Sequence, residues 1–189
     1  MQNHVCYRKF VPLGNGARVM LRLLTERDRE KLLGLFEETS EEDVRFLKHD
    51  VKDPRVVDRW LTGLDYRRVL PLMAVDLGDN HFVAGAALQR GEHAARHIGE
   101  IRIFVSAPFR NLGLGSVLLD ELISLGTQEN LYWLKAEVVT EQKKIIQSLR
   151  SRGFEVKATL EDFFLGKDGV THDVLLMMRS LRQEEEGAL

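Results

Sequence analysis

Arg110-Asn111-Leu112-Gly113-Leu114-Gly115-Ser116 is the stretch on which the fold turns. Ile98–Val105 before it reads as a buried strand, and Val117–Glu129 after it as an amphipathic helix. A strand, a glycine-punctuated loop and a helix make a natural phosphate holder. The loop turns amide N–H groups inward, and the first helical turn has no internal partners for its own. Gly113 and Gly115 carry no Cβ, so a ligand can approach the backbone closely. Arg110 adds a fork of charged donors.

Two familiar phosphate loops do not fit. A Walker loop needs Gly-x-x-x-x-Gly-Lys-Ser/Thr, and the chain has no such string. A dinucleotide fingerprint needs Gly-x-Gly-x-x-Gly, but Leu118 stands three residues after Gly115. A third pattern, Arg/Gln-x-x-Gly-x-Gly/Ala, is met in order by Arg110, Gly113 and Gly115.

Around this stretch the chain reads as follows. Residues 1–16 form an arm or an added edge strand, with a turn at Gly14-Asn15-Gly16. Val19–Leu23 is the first secure strand. Thr25 with Asp28 forms a capping box for a helix carrying Leu32, Leu35 and Phe36. Ser40 with Asp43 opens a short helix through Leu47, and Asp53-Pro54 starts a third with Val56, Val57, Trp60, Leu61 and Leu64 on its apolar face. Leu72–Leu77 and Phe82–Gln89 form a hairpin. In the strand before the glycine loop, Glu100, Arg102 and Phe104 share one face and Ile101, Ile103 and Val105 the other. Tyr132–Val139 is a strand and Glu141–Arg152 a helix closed by Gly153. Phe154–Phe164 and Val170–Met178 are two strands turned at Lys167-Asp168-Gly169. The expected architecture is a mixed α/β layer, with residues 17–180 as one domain and 181–189 as a polar tail.

Composition sets limits. At 189 residues and 44% hydrophobic, one soluble domain with a substantial core is expected. With a net charge of −2, nothing in the total suggests a nucleic-acid or anionic-membrane partner. No stretch suits a membrane span or a signal peptide, and the single cysteine, Cys6, fits a reducing cytoplasm. Cys6 has no predictable His partner, and His93 and His97, beside Arg96, lack ligand spacing, so no metal is assigned. Trp60, Tyr66 and Trp133 read as core aromatics.

The order of elements and four motifs resemble the GNAT acetyltransferase superfamily from about Ala17 to Met178. These motifs are Leu21–Asp28, Glu100–Val105, the Arg110–Gly115 loop, and Arg152-Gly153-Phe154. Arg45-Phe46 within Ser40–Leu47, and Asp65-Tyr66, are also similar to the GNAT domain of bacterial protein lysine acetyltransferases. The resemblance implies a mostly antiparallel sheet of six to seven strands flanked by four to five helices. It implies acetyl transfer from acetyl-CoA to an amine, either a protein lysine or a small molecule. The loop amides from Leu112 to Ser116, through Gly113, Leu114 and Gly115, would face the pyrophosphate beside Arg110 and Asn111. Backbone groups of Phe104 and Val105 would pair with the pantetheine arm. Two positions depart from the family: Gln142 stands where it often has Asn, and Leu149 where it often has the Tyr that protonates the departing thiolate. Leu149 has no proton to give. Lys143, Lys144 and Arg150 are candidates for the 3′-phosphate, and a homodimer is compatible with the sequence.

Glu100 is the candidate general base. An alkyl amine with a pKa near ~10.4 is neutral in only about one molecule in 2,500 at pH 7. A half-buried carboxylate can take its proton, directly or through water. The competing account pairs Glu100 with Arg102 on an exposed sheet face. The acidic run Glu37, Glu38, Glu41, Glu42 and Asp43 either attracts a cationic acceptor or is solvated capping charge. A catalytically silent CoA-binding module and an interaction protein docking through the acidic helices are the alternatives from other classes.

Overall fold

The computed structural model describes residues 7–166 and 168–182. Cys6, Lys167 of the expected turn and the tail from Gln183 lie outside the described residues. The strands are β1 (Arg8–Pro12), β2 (Arg18–Leu23), β3 (Val69–Asp76), β4 (Phe82–Arg90), β5 (Ile98–Val105), β6 (Trp133–Val139), β7 (Glu155–Leu165) and β8 (Thr171–Ser180). The helices are α1 (Arg29–Glu37), α2 (Glu41–Val44), α3 (Pro54–Thr62), α4 (Leu114–Gln128) and α5 (Lys143–Arg150). The sheet has eight strands in the order β1-β2-β3-β4-β5-β6-β8-β7. That exceeds the expected six to seven, and β1 is part of the reason, since Arg8–Pro12 pairs antiparallel with β2, Phe10 opposite Met20. The pairing is mostly antiparallel. β5 and β6 run parallel, as a strand–helix–strand crossover through α4 requires.

Cα packing divides the chain into two compact units, one running through Leu88 and taking in Arg102–Asp120, the other comprising Gln89–Ile101 and the chain from Glu121. The strands β4 and β5 pass from one unit to the other.

In the first unit, α1 to α3 supply one core. Leu32, Leu35 and Phe36 of α1, Val44 of α2 and Val57 and Leu61 of α3 cluster with Met73, Val75 and Phe82, and Trp60 and Phe104 pack on the edge. Asp53 caps α3 by accepting from the Arg55 amide, with Pro54 in the first turn. The second expected helix is shorter than its sequence suggests: α2 ends at Val44, and Leu47 closes a turn onto the Val44 carbonyl.

The capping box at Thr25 is also an ion-pair site. Asp28 accepts from the Thr25 amide at 2.8 Å and hydroxyl at 2.7 Å, and from both terminal nitrogens of Arg22 at 2.7 and 2.6 Å. Burial alone would raise the Asp28 pKa, but these donors outweigh it and hold it below its ordinary value. Asp28 therefore adds stability that is fully present above its unfolded pKa, ~3.9, and is lost as the pH falls through the lower folded value. Asp28→Asn should cost about 2 kcal/mol at neutral pH, below the figure for a fully buried pair, because the Arg22 side chain keeps 18% exposure. Urea unfolding at pH 7 and pH 3 checks this, since the deficit should shrink at the lower pH.

In the second unit, Leu134, Ala136 and Val138 of β6 are buried. A Cβ on Gly126 of α4 would come within 2.9 Å of Leu134 Cδ2 and of Leu181 Cδ1, so a side chain here would push both leucines aside. By alternation, Trp133, Lys135 and Glu137 of β6 point to the opposite face.

Candidate active site

In the first unit the glycine loop is built in steps. Past Val105, the Ser106 amide bonds the Val83 carbonyl at 3.0 Å, and Pro108 sits in a single 3-10 turn over Ala107–Phe109. Asn111 (φ 59°) and Gly113 (φ 89°) then take left-handed backbone conformations. Asn tolerates that region and glycine occupies it freely. The chain enters α4 at Leu114, three residues before the expected start at Val117 and at the first of the apolar positions Leu114, Leu118, Leu122 and Leu125, all buried. Gly115 and Ser116 therefore lie in the first helical turn, whose amides lack intrahelical acceptors. Val117 already bonds the Gly113 carbonyl at 3.1 Å.

Gly115 could carry a Cβ here, since its nearest neighbour would be Val105 Cγ2 at 3.8 Å, an ordinary contact. Packing in this structure does not explain the glycine. The space beside its backbone is open, next to amides that have no acceptor within the helix.

Arg110 is engaged within the protein. Its Nε donates to the Val105 carbonyl at 2.9 Å, and Nη1 to Asp43 Oδ1 at 2.6 Å. Asp43 is fixed in turn by the Ser40 hydroxyl at 2.8 Å. The Arg110 bond holds the Asp43 carboxyl below its ordinary pKa, with burial opposing and Ser40 assisting. Of the acidic run, Asp43 is thus committed to the arginine of the loop, and Glu42 lies 3.7 Å from Arg45. Nothing in the sequence pairs residues 43 and 110.

Phe104 turns its ring onto Phe36, with centroids 5.6 Å apart. The ladder from β5 to β6 covers Ile98–Glu100 against Trp133–Lys135. Phe104 and Val105 lie beyond its last pair.

In the second unit, Glu100 meets a cation that strand alternation on β5 does not reveal. Lys135 Nζ lies 2.8 Å from Glu100 Oε2 and 3.2 Å from Glu137 Oε1. The three side chains are 17%, 28% and 11% exposed for Glu100, Lys135 and Glu137. Burial alone would lower the Lys135 pKa, but its hydrogen bonds to the two glutamates outweigh that and raise it, so the ammonium is charged at neutral pH. The signal for Lys135 was present in the sequence. A crossover sets β6 parallel beside β5, and Lys135 and Glu137 then alternate on the face that Glu100 shares.

Three residues past the end of β6, Gln142 caps α5. Its carbonyl accepts from the Ile145 and Ile146 amides at 3.0 and 3.1 Å, and its side chain is half-buried. Glu141, just before it, bonds His172 Nδ1 at 3.0 Å, which lowers the Glu141 pKa. Lys143, Lys144 and Arg150 are exposed. Leu149 is 3% exposed, so the position where a phenol was expected is part of the core beneath α5. Leu149→Tyr should therefore destabilise by about 1–3 kcal/mol through overpacking, with no gain in turnover. A thermal melt beside a rate measurement checks both.

Two other features are formed by different residues. Asp76, Asp79 and His81 bring potential ligand atoms within 4.8 Å of one another at the β3–β4 turn. Asp76 Oδ2 there closes the turn by accepting from the Gly78 and Asp79 amides, both at 3.1 Å. A groove of about 730 Å³ is lined by Trp133, Arg152, Glu155 and Met178 among others, none of them a residue singled out as catalytic or cofactor-binding.

A strand, a glycine loop with one left-handed glycine and one open over backbone, and a helix beginning on its amides make a loop suited to an anion in a mixed α/β fold. Residues 29–154 match the acetyltransferase (GNAT) family, so the chain belongs to that family and is an acetyltransferase. Solved structures share the fold. The GNAT domain of S. lividans PAT superposes with a TM-score of 0.75 at 22% identity, covering 96% of this chain and 99% of that one. Ribosomal-protein-alanine N-acetyltransferase from Brucella melitensis gives 0.73 at 26% identity, covering 85% and 99%. A phosphinothricin acetyltransferase from Sinorhizobium meliloti, in complex with acetyl-CoA, gives 0.73 at 20% identity, covering 86% and 88%. No curated protein matches the chain. Among the described residues, no helix is long and apolar enough to cross a membrane.

Proposed function

We propose that the chain moves an acetyl group from acetyl-CoA to a primary amine by direct attack, with Glu100 as the general base. The observation that carries this reading is the loop: Gly113 at φ 89° and Gly115 with only Val105 Cγ2 near its missing Cβ present the first amides of α4 to an anion. The complex of the S. meliloti relative with acetyl-CoA supports the choice of donor. Amides from Leu112 to Ser116 hold the pyrophosphate, with Asn111 shaping the turn. Arg110 adds charge where it leaves Asp43, and Phe104 and Val105 offer backbone groups to the pantetheine arm. Gln142, at the start of α5, completes the set. Acetyl-CoA supplies an acyl carbon activated by its thioester.

Glu100 takes the proton from the acceptor ammonium. The freed nitrogen lone pair bonds to the acyl carbon, and the C–S bond breaks with its electrons on sulfur. The nitrogen, positively charged once bonded, gives its second proton to water or to the departing thiolate and leaves the amide, while Glu100 returns the first proton to solvent. With Leu149 buried and aliphatic, the thiolate leaves unassisted or takes a proton from water or from that nitrogen.

The acceptor is a protein lysine or a small-molecule amine. The neighbours' names, a ribosomal-protein alanine in one and phosphinothricin in another, indicate that this fold serves amines of unlike size. The test is thiol release from acetyl-CoA with a lysine peptide, a peptide with a free N-terminus, a polyamine and amino acids. Release above the acceptor-free rate with at least one of them is expected. Acetyl-CoA binding without turnover on any would favour the silent CoA-binding module instead.

A further inference from the structure

Glu100 and Glu137 both reach the same nitrogen, Lys135 Nζ, at 2.8 and 3.2 Å, and all three side chains are largely withdrawn from water. Two carboxylates this close cannot both stay ionised without a countercharge, since the usual result is one acid with a strongly raised pKa. A general base must be ionised in order to accept a proton. Resting on Glu100 as the base, we propose that Lys135 is a positioning residue for acetyl transfer: its ammonium aims the Glu100 carboxylate and carries the charge that lets Glu100 act beside Glu137.

The placement follows from the backbone. Glu100 and Lys135 are directly paired in the parallel β5–β6 ladder, so their side chains leave the sheet on the same face. Glu137 lies two residues along β6, on that face again. Lys135 in turn faces Met178 of β8, and Met178 faces Glu155 of β7. Glu155 is bonded to Lys157 at 2.6 Å, which also stands over the Trp133 ring. On the β4 side, the bond from the Gly91 amide to the Ile98 carbonyl sets a register that puts uncharged Gln89 opposite Glu100. Arg102 shares the face on β5 itself, and Glu141 with His172 stands four residues beyond Glu137 on β6. Lys135 is a cation that reaches both Glu100 and its acidic neighbour.

A lysine serves better here than an arginine would in one respect. The ammonium is a point donor that can serve two carboxylates on different strands at once. Its raised pKa keeps it charged through the neutral range, so it holds its proton while Glu100 exchanges one.

The test is a 13C NMR titration of the Glu100 carboxyl in the full chain, with the kcat–pH profile beside it. Lys135→Met should raise the Glu100 pKa by about one unit, the lower end of the effect of a lost ion-pair partner because the site is partly exposed. Rates on the acid limb should then fall about tenfold while acetyl-CoA affinity is unchanged. Lys135→Arg should restore most of the limb. Glu137→Gln should move the Glu100 pKa the other way, because it removes a like charge and leaves Lys135 to Glu100 alone. Should Lys135→Met fail to fold, the same titration in Lys135→Gln, which keeps a polar side chain and removes the charge, decides. An unmoved Glu100 titration in Lys135→Met, or no downward shift in Glu137→Gln, overturns the proposal. If Glu100→Gln itself keeps the wild-type rate, the reading of Glu100 as base fails first, and the two failures are distinguished.

Discussion

Glu100→Gln is expected to lower kcat by ~10²–10⁴-fold at neutral pH, the range for loss of a positioned general base, and to leave acetyl-CoA affinity nearly unchanged. Glutamine keeps the shape and can still accept from Lys135, which approaches Glu100 to 2.8 Å, but it has no basicity. The ground state should therefore survive the change. The defect should depend on pH in one direction. As the pH rises toward ~10.4, more of the amine arrives already neutral and the base matters less, so the ratio of wild-type to variant rate should shrink. A steady-state pH profile of both proteins checks this. A variant with the wild-type rate and profile would place the base elsewhere and leave Glu100 as the ion-pair partner of Lys135.

The second large effect is at the loop. Gly115→Val should weaken acetyl-CoA binding by about 10²-fold or more, equivalent to ~2.7 kcal/mol, with the fold intact. The fold should survive because the nearest atom to the new Cβ is Val105 Cγ2 at 3.8 Å and because Gly115 already has helical backbone. Binding should not survive, because the branched methyls occupy the space through which a pyrophosphate approaches the amides. Arg110→Ala should cost less, about tenfold, since it removes one charged contact and leaves the cradle. Asp43 already balances the Arg110 charge, which reduces what the arginine can add. Calorimetric titration of the wild type and both variants checks the order. Arg110→Ala worse than Gly115→Val would mean that the arginine, not the backbone, dominates.

What the sequence disclosed follows from how local each signal is. The strand Ile98–Val105 was readable to the residue because its alternation and the Pro108 stop lie within one short window. The start of α4 was misplaced by three residues because Gly115 and Ser116 have poor helix propensity and take helical geometry from the turn before them. The helix expected from Glu141 begins at Lys143, because the backbone at Gln142, with ψ 58°, is still outside helical space. Pairings across long separations were hidden. Arg110 and Asp43 stand 67 residues apart, and no composition or spacing joins them. Lys135 is an intermediate case. Alternation gives its face, but its contact with Glu100 needs the parallel register of two strands separated by a helix. The Asp28 pair with Arg22 lay half in view: the capping box is a local motif, while the arginine six residues earlier came from an adjoining strand.

Hydrogen exchange at the amides of Leu112–Ser116, with and without acetyl-CoA, tests the central claim most directly. The account predicts that saturating acetyl-CoA slows exchange at Gly113, Leu114, Gly115 and Ser116, because each gains a phosphate acceptor that the helix cannot supply. The effect should vanish in Gly115→Val. Saturable acetyl-CoA binding with unchanged exchange at those four amides would contradict it, and would place the cofactor away from the loop around which the chain folds.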